Sequence, residues 1–350
     1  MFVWLGVSAA FLAALLLTPP AIKIAVKLNV VDKPEARKVH SEPKPRMGGI
    51  AIYAAFAIGV LLLSEYTMPV ACLLVSSGLV MLTGLIDDIR GISPRAKLLG
   101  QVIAALVLVQ GGVAIRFITN PFDGGLISLG VFAIPLTVLW LVGVSNTINL
   151  VDGLDGLSAG ISAIAALSMA IVCSAQGEYV AAAIAGVLAA SCFGFLRYNF
   201  NPARTFMGDC GSLFLGFVLG ALALMGLAKG ATFISVFIPL IVLGIPIFDT
   251  FFAIVRRLIL HKPVFEADKM HLHHRLLSLG LTHKQTVLTI YAVSLVMGLC
   301  AVLMSVLASA QAVIVLIIVT LLAVLGAERL GVLRGNVNIA SQATTKTSHN

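Results

Sequence analysis

Five aspartates stand where apolar runs end: Asp87 and Asp88 in "LIDDIRGISPRAK", Asp152 and Asp155 in "NTINLVDGLDGL", and Asp209 in "NPARTFMGDCGS". A carboxylate at the edge of a hydrophobic segment is costly unless something binds it. The neighbouring residues suggest what does. Lys97, Arg204, Arg256 and Arg257 lie at comparable positions, and "DKMHLHHRL" supplies His271, His273, His274 and Arg275. Hard oxygen donors beside Asn, Lys, Arg and His suit a divalent cation and phosphate. Phosphoryl transfer asks little more of a protein than positioning and charge neutralisation. Asp87 and Asp88 repel each other when both are ionised, so a cation or a raised pKa must settle one of them.

In "NTINLVDGLDGL", Asn146, Asn149, Asp152 and Asp155 recur every third residue. On an unbroken α-helix each would turn back about 60° from the last, so one helix cannot aim all four at one ligand. Gly153 and Gly156 permit the break that could. A plain polar connector is the competing reading. Asp87-Asp88, with Arg90 behind them, also read as a solvated helix end, and Asp209 beside Gly208 reads as the N-cap of the next helix as well as a metal ligand. "HLHH" alone suggests zinc, but no Cys or nearby acidic pair completes a tetrahedral set. Asp249, in "GIPIFDTFFAIVRR", lies inside an apolar segment and is either functional or paired with a cation such as Arg256.

These residues must be positioned by a membrane protein. The 350 residues are 59 % apolar and 11 % charged, with a mean hydropathy of +1.06. Uncharged runs repeat along the chain, and the last, Gln285 to Ala327, covers 43 residues. That is about 65 Å of helix against a bilayer core of roughly 30 Å, so it must fold back, with the turn expected at Ala308 to Gln311. The expected architecture is an all-α, polytopic transmembrane helix bundle of about eleven spans in a single domain, residues 1–330, with a disordered cytoplasmic tail at 331–350.

No Lys or Arg precedes the first run, and Thr18-Pro19-Pro20 does not resemble a cleavage site, so Met1 to Ile22 reads as a retained helix. Its basic flank, Lys23 and Lys27, follows it and sets the N-terminus outside and the C-terminus in the cytoplasm. Eleven spans then put 21 of the 23 Lys and Arg inside, leaving Arg116 and Lys229 outside, as the positive-inside rule demands. The net charge of +8 therefore belongs to a cytoplasmic face meeting membrane lipid and phosphate, and gives no sign of nucleic-acid binding. The five cysteines show no paired spacing and read as small buried hydrophobes.

From Asp32 to Leu279, through "DKPEARKVHSEPKPRMGG", "DDIRGISPRAK", "NTINLVDGLDGL", "NPARTFMGDCGS" and "HLHHRL", the chain resembles the polyprenyl-phosphate N-acetylhexosamine-1-phosphate transferases. Within them it is most similar to the bacterial undecaprenyl-phosphate N-acetylglucosamine-1-phosphate transferases, of the glycosyltransferase 4 type. Each motif alone is weak; five in order on one face are specific. The resemblance implies transfer of N-acetylglucosamine 1-phosphate from UDP-N-acetylglucosamine to undecaprenyl phosphate at the cytoplasmic face of the cell membrane. UMP is released, and the step opens synthesis of a surface glycan such as teichoic acid or O-antigen.

By the same resemblance Asp209 and Asn149 ligate Mg²⁺, with Mn²⁺ as a substitute, and Asp152 lies close to the ion. Asp87 and Asp88 contact the lipid phosphate or metal, one of them as proton acceptor, and Lys97 holds phosphate. Asp155, Asn199 and Phe206 form the uridine pocket, while His271, His273, His274 and Arg275 line the sugar and pyrophosphate side. The branch handling a muramyl-pentapeptide reads Pro-Leu-His-His-His where this chain has "MHLHHRL", which favours N-acetylglucosamine. Another UDP-N-acetylhexosamine or the phospho-MurNAc-pentapeptide is the alternative cargo, an ion-coupled transporter is the alternative class, and a homodimer is left open.

Overall fold

A computed structural model describes residues 2–32, 43–120, 125–226, 237–259 and 271–329. Thirteen α-helices appear among them: α1 Phe2–Lys27, α2 Gly48–Leu61, α3 Met68–Arg90, α4 Pro94–Gln110, α5 Ala133–Val151, α6 Leu157–Ala175, α7 Tyr179–Asn199, α8 Gly208–Gly226, α9 Phe237–Val242, α10 Gly244–Ile259, α11 Leu272–Ser278, α12 His283–Val306 and α13 Ser309–Arg329. Two short antiparallel ribbons were not foreseen: β1 Val31–Asp32 with β2 Lys44–Pro45, and β3 Phe117–Thr119 with β4 Leu126–Ser128.

Among the described residues eight helices are long and apolar enough to cross a membrane: α1, α3, α5 with the 3₁₀ turn before it, α6, α7, α8, α12 and α13. Of the other expected spans, α2 has 14 residues, about 21 Å and too short for the hydrocarbon core by itself. The Gly230 to Phe248 run lies partly, and the tail from Gly331 to Asn350 wholly, outside the described residues. The long C-terminal run folds back as expected. Leu307, in extended conformation, ends α12, and α13 begins at Ser309 and packs against it.

The centre of the bundle is α8. Every residue of α8 except Met225 is buried, because α2, α3, α5, α6 and α7 pack around it. A helix apolar on all sides belongs inside. Phe214 meets Tyr53 and Phe56 of α2 edge-on, with ring centroids 5.5 and 5.4 Å away. In α13, by contrast, only Ala312 and Ala327 are buried. Its exposed Ile and Leu side chains need no protein partner where the solvent is lipid.

Chain direction does the rest. The C-terminal ends of α3, α5 and α7 meet the N-terminal ends of α2, α4, α6 and α8, so the polar span ends gather at one end of the bundle. The Asp88, Asn149 and Asp155 contacts described next define that end.

Candidate active site

"DDIRGISPRAK" folds as a tight helix–turn–helix. Gly91, left-handed at φ 65°, ends α3. Ser93 caps α4 by accepting the Ala96 N–H at 3.3 Å, with Pro94 at the first helical position, the arrangement that starts a helix best. Asp87 accepts the Ile92 N–H at 2.8 Å. The turn brings Lys97 back over α3, where its Nζ reaches Asp87 Oδ2 at 2.9 Å and also pairs with Asp209 Oδ2.

Asp88 points the other way. Its Oδ1 accepts the Asp209 N–H at 2.9 Å and its Oδ2 the Cys210 N–H at 3.0 Å, while Arg46 Nε lies 3.0 Å from Oδ1. The side chain is wholly buried. Asp88 therefore caps α8 from a different helix, satisfying backbone donors that a helix start leaves open. The N-cap reading of Asp209 thus passes to Asp88; Asp209 sits in the first turn. Gly208 is fitted to this contact: its φ is +71°, and a Cβ there would strike Asp88 Oδ2.

Arg46 completes the cluster, its Nη2 2.7 Å from Asp209 Oδ1. Three carboxylates, Asp87, Asp88 and Asp209, thus share two cations, Arg46 and Lys97. Burial lowers the Arg46 guanidinium pKa, but the Asp88 and Asp209 charges outweigh it and hold it above its ordinary value. Lys97 is raised for the same balance of reasons, with Asp209 as the main charge.

The "NTINLVDGLDGL" segment breaks where its glycines allow. Helix α5 ends at Val151 and α6 begins at Leu157, with Gly156 at φ 79° just before it. The two asparagines face different helices, as the 60° rotation requires. Asn146 exchanges amide hydrogen bonds with Gln101 of α4, at 2.8 and 3.3 Å. Asn149 Nδ2 donates to Ser212 Oγ of α8 at 2.8 Å, leaving its carbonyl oxygen as the group available to a ligand.

Asp152 lies in the break, partly accessible. Burial pushes its carboxyl up to about 8, with repulsion from Asp209 and Asp88 adding and Arg46 opposing. Asp155 Oδ2 accepts from Asn201 Nδ2 and the Ala203 N–H, both at 3.0 Å. Asn199, buried, donates to the Thr205 carbonyl at 2.9 Å. Both residues brace the loop that carries Phe206, which is itself tied to the segment before α2: the Phe206 N–H donates to Pro45 O at 2.8 Å and the Gly48 N–H to Phe206 O at 3.0 Å.

The histidine segment closes the other side of the break. His273 packs against Gly153, where a Cβ would meet its ring. Its ring lies 6.1 Å from His271, nearly parallel, and 4.2 Å from His274. Burial, with the His274 and His271 rings adding to it, lowers the His273 pKa to about 3, against a weaker pull from Asp249. Arg275 is buried on the same short helix.

The oxygen donors of Asp209, Asn149 and Asp152 fit a hard cation such as Mg²⁺ in kind. Among the described residues no three His, Cys, Asp or Glu side chains form a ready metal cage, and both Asp209 oxygens carry cationic partners. An ion at Asp209 would compete with Arg46 and Lys97. Arg46, Gln101 and Ser212 were not singled out from the sequence. Only Arg46 carries a signal there, a cation immediately before Met47-Gly48-Gly49 in a motif already noted for resemblance.

The profile of glycosyl transferase family 4 matches residues 70–227. A Bacillus subtilis protein named probable undecaprenyl-phosphate N-acetylglucosaminyl 1-phosphate transferase is 43 % identical to this chain, over 84 % of it and 83 % of that protein. The chain belongs to glycosyl transferase family 4. Two further relatives carry different names. The decaprenyl-phosphate N-acetylglucosaminephosphotransferase of Mycolicibacterium smegmatis is 40 % identical over 77 % of this chain and 73 % of its own length. The phospho-N-acetylmuramoyl-pentapeptide-transferase of Halalkalibacterium halodurans is 30 % identical over 85 % of this chain and 95 % of its own. The family 4 match spans Asp87 to Asp209; Arg46 and the histidine segment lie beyond its two ends.

Proposed function

We propose that this family 4 member transfers N-acetylglucosamine 1-phosphate from UDP-N-acetylglucosamine to undecaprenyl phosphate, releasing UMP. The observation that carries the reading is the Asp87, Asp88, Asp209, Arg46 and Lys97 cluster at the start of α8, at the end of a lipid-facing bundle. Here a membrane-anchored phosphate and a soluble nucleotide sugar could meet. The Bacillus subtilis and Mycolicibacterium smegmatis relatives named for N-acetylglucosamine transfer, at 43 % and 40 % identity against 30 % for the Halalkalibacterium halodurans relative named for the muramyl-pentapeptide, support the sugar, as does "MHLHHRL" in place of three consecutive histidines.

An oxygen of the lipid phosphate attacks the sugar-bearing phosphorus, the bond to the UMP oxygen breaks, and a polyprenyl pyrophosphoryl sugar forms. The lipid phosphate is largely ionised near pH 7, so Asp87, the more open of the adjacent pair, has little proton to remove. Lys97 and Arg46 hold phosphoryl oxygens once freed from Asp209. Phe206 stacks on the uracil, in a loop braced by Asp155 and Asn199, and His271, His273, His274 and Arg275 face the sugar and pyrophosphate. Asp209 and Asn149 would hold Mg²⁺, or Mn²⁺, with Asp152 beside it; the bound ion supplies charge neutralisation to the pyrophosphate.

The product suits the first membrane step of a surface glycan of the teichoic acid or O-antigen kind, made at the cytoplasmic face. In a cysteine-free background, an impermeant maleimide on intact cells should label a cysteine at Asn120 and spare one at Ser93. The deciding experiment is UMP release by the purified chain with undecaprenyl phosphate and either UDP-N-acetylglucosamine or UDP-MurNAc-pentapeptide. Turnover of the first alone is expected. Turnover of the second alone would move the chain to the other cargo, and release from neither would end the transferase reading.

A further inference from the structure

Asp249 lies outside the five motifs that carry the resemblance, and it is buried in α10 at 6 % exposure. An acid there is costly unless fully satisfied. Both of its oxygens are occupied, and both partners lie at the start of α11. Oδ2 lies 2.9 Å from His271 Nδ1, and Oδ1 accepts the Leu272 N–H at 2.8 Å. His271 is the N-cap residue of α11 in extended conformation and makes no side-chain cap bond of its own, so the cap is supplied across space by Asp249. His271 is also buried, at 6 %, and stacks in parallel with His273, which in turn rests on Gly153 beside Asp152. A continuous packed path therefore runs from Asp249 to the break between α5 and α6.

We propose that Asp249 is a positioning residue that fixes the tautomer and aim of His271. A carboxylate partner holds the proton on Nδ1, so Nε2 is the nitrogen left to face the substrate. Because the Leu272 N–H is held by the same carboxylate, α11 cannot rotate independently of that imidazole, and His273 is carried into register with Gly153. Asp249 touches no reacting atom in this arrangement; it acts through His271. The catalytic consequence rests on the proposed transferase function, whereas the tautomer assignment does not.

The test uses Asp249→Asn in the full chain in detergent. The amide keeps an acceptor for the Leu272 N–H but turns an NH₂ toward His271, driving the ring proton to Nε2. Nitrogen-15 NMR of labelled histidine, with His271→Ala to assign the signal, should show Nδ1 protonated in the native protein and Nε2 protonated in the variant. In the UMP-release assay kcat should fall roughly 100-fold, with KM for UDP-N-acetylglucosamine within about threefold of native and an unchanged thermal midpoint. Asp249→Glu should recover part of the loss. Asp249→Asn in a His271→Ala background should cost nothing further. An unshifted tautomer would overturn the proposal even if the native protein proved inert, and so would losses that multiply in the double variant. A native protein inert toward both nucleotides, with the tautomer shifted as expected, would remove the transferase reading and leave the Asp249–His271 pair standing.

Discussion

Asp88 and Asp249 each use both carboxylate oxygens at the first turn of a helix other than their own, yet the two corners differ in charge. At α8 the acid meets two backbone N–H groups and Arg46, in a cluster where three carboxylates share two cations. At α11 it meets one backbone N–H and an imidazole, beside a second ring held neutral by burial. On the proposed function the first corner exchanges charge with an ion or a phosphate. The second fixes the orientation of stacked imidazole rings. On the proposed function the difference separates acids that hold a helix start, Asp88 and Asp249, from those assigned to the reaction, Asp87, Asp152 and Asp209, and it can be tested one residue at a time.

The largest effect should come from Asp209, the charge on which both cations converge. Asp209→Asn should lower UMP release by at least about 10³-fold, while gel filtration shows a monodisperse, inserted protein. Native turnover in that variant at saturating Mg²⁺ would take Asp209 out of the metal role.

The adjacent acids should then part company. Asp87→Asn keeps an acceptor for the Ile92 N–H but removes the charge that aims Lys97, and should cost about 10²-fold in kcat with a smaller loss of thermal stability than Asp88→Asn. In Asp88→Asn an NH₂ faces the α8 donors, leaving one of the buried amides of Asp209 and Cys210 unsatisfied, and stability should drop by about 1–3 kcal/mol along with activity. Equal thermal midpoints in the two variants would erase the distinction.

The neutral-ring corner predicts an acid limit. His273 titrates near 6.5 when unfolded and near 3 when folded, so the unfolded state binds the extra proton first. Its contribution to stability is present above pH 6.5 and is lost progressively as the pH falls from there toward 3. The thermal midpoint should decline between pH 7 and pH 5, and His273→Gln should flatten that decline. A parallel decline in both proteins would assign the acid sensitivity elsewhere.

The smallest signal is a fraction of a proton. With its carboxyl pushed up to about 8, Asp152 is mostly protonated at pH 7, and a divalent cation binding beside it should displace that proton. Titration calorimetry of Mg²⁺ in two buffers of different ionisation enthalpy should detect the release, and Asp152→Asn should abolish it. Buffer-independent heats from the native protein would place the ion away from Asp152.

Hydropathy and charge alone determined that this chain is a helical membrane protein, where its apolar segments lie and which residues end them, because burial in lipid is a local property of a run of side chains. The break after Val151 was also legible: a three-residue spacing that no helix can aim at one point, followed by Gly153 and Gly156, is a local contradiction. What the acids do was not legible. Arg46 and Asp209 are 163 residues apart, and nothing local distinguishes Asp87, facing Lys97, from Asp88, sealed under α8. One residue of helix rotation, about 100°, sends two identical side chains to opposite environments. Asp249 was ambiguous for the same reason: an acid inside an apolar helix must find a donor, and only the packing of α10 against the start of α11 decided that the donors would be His271 and the Leu272 amide.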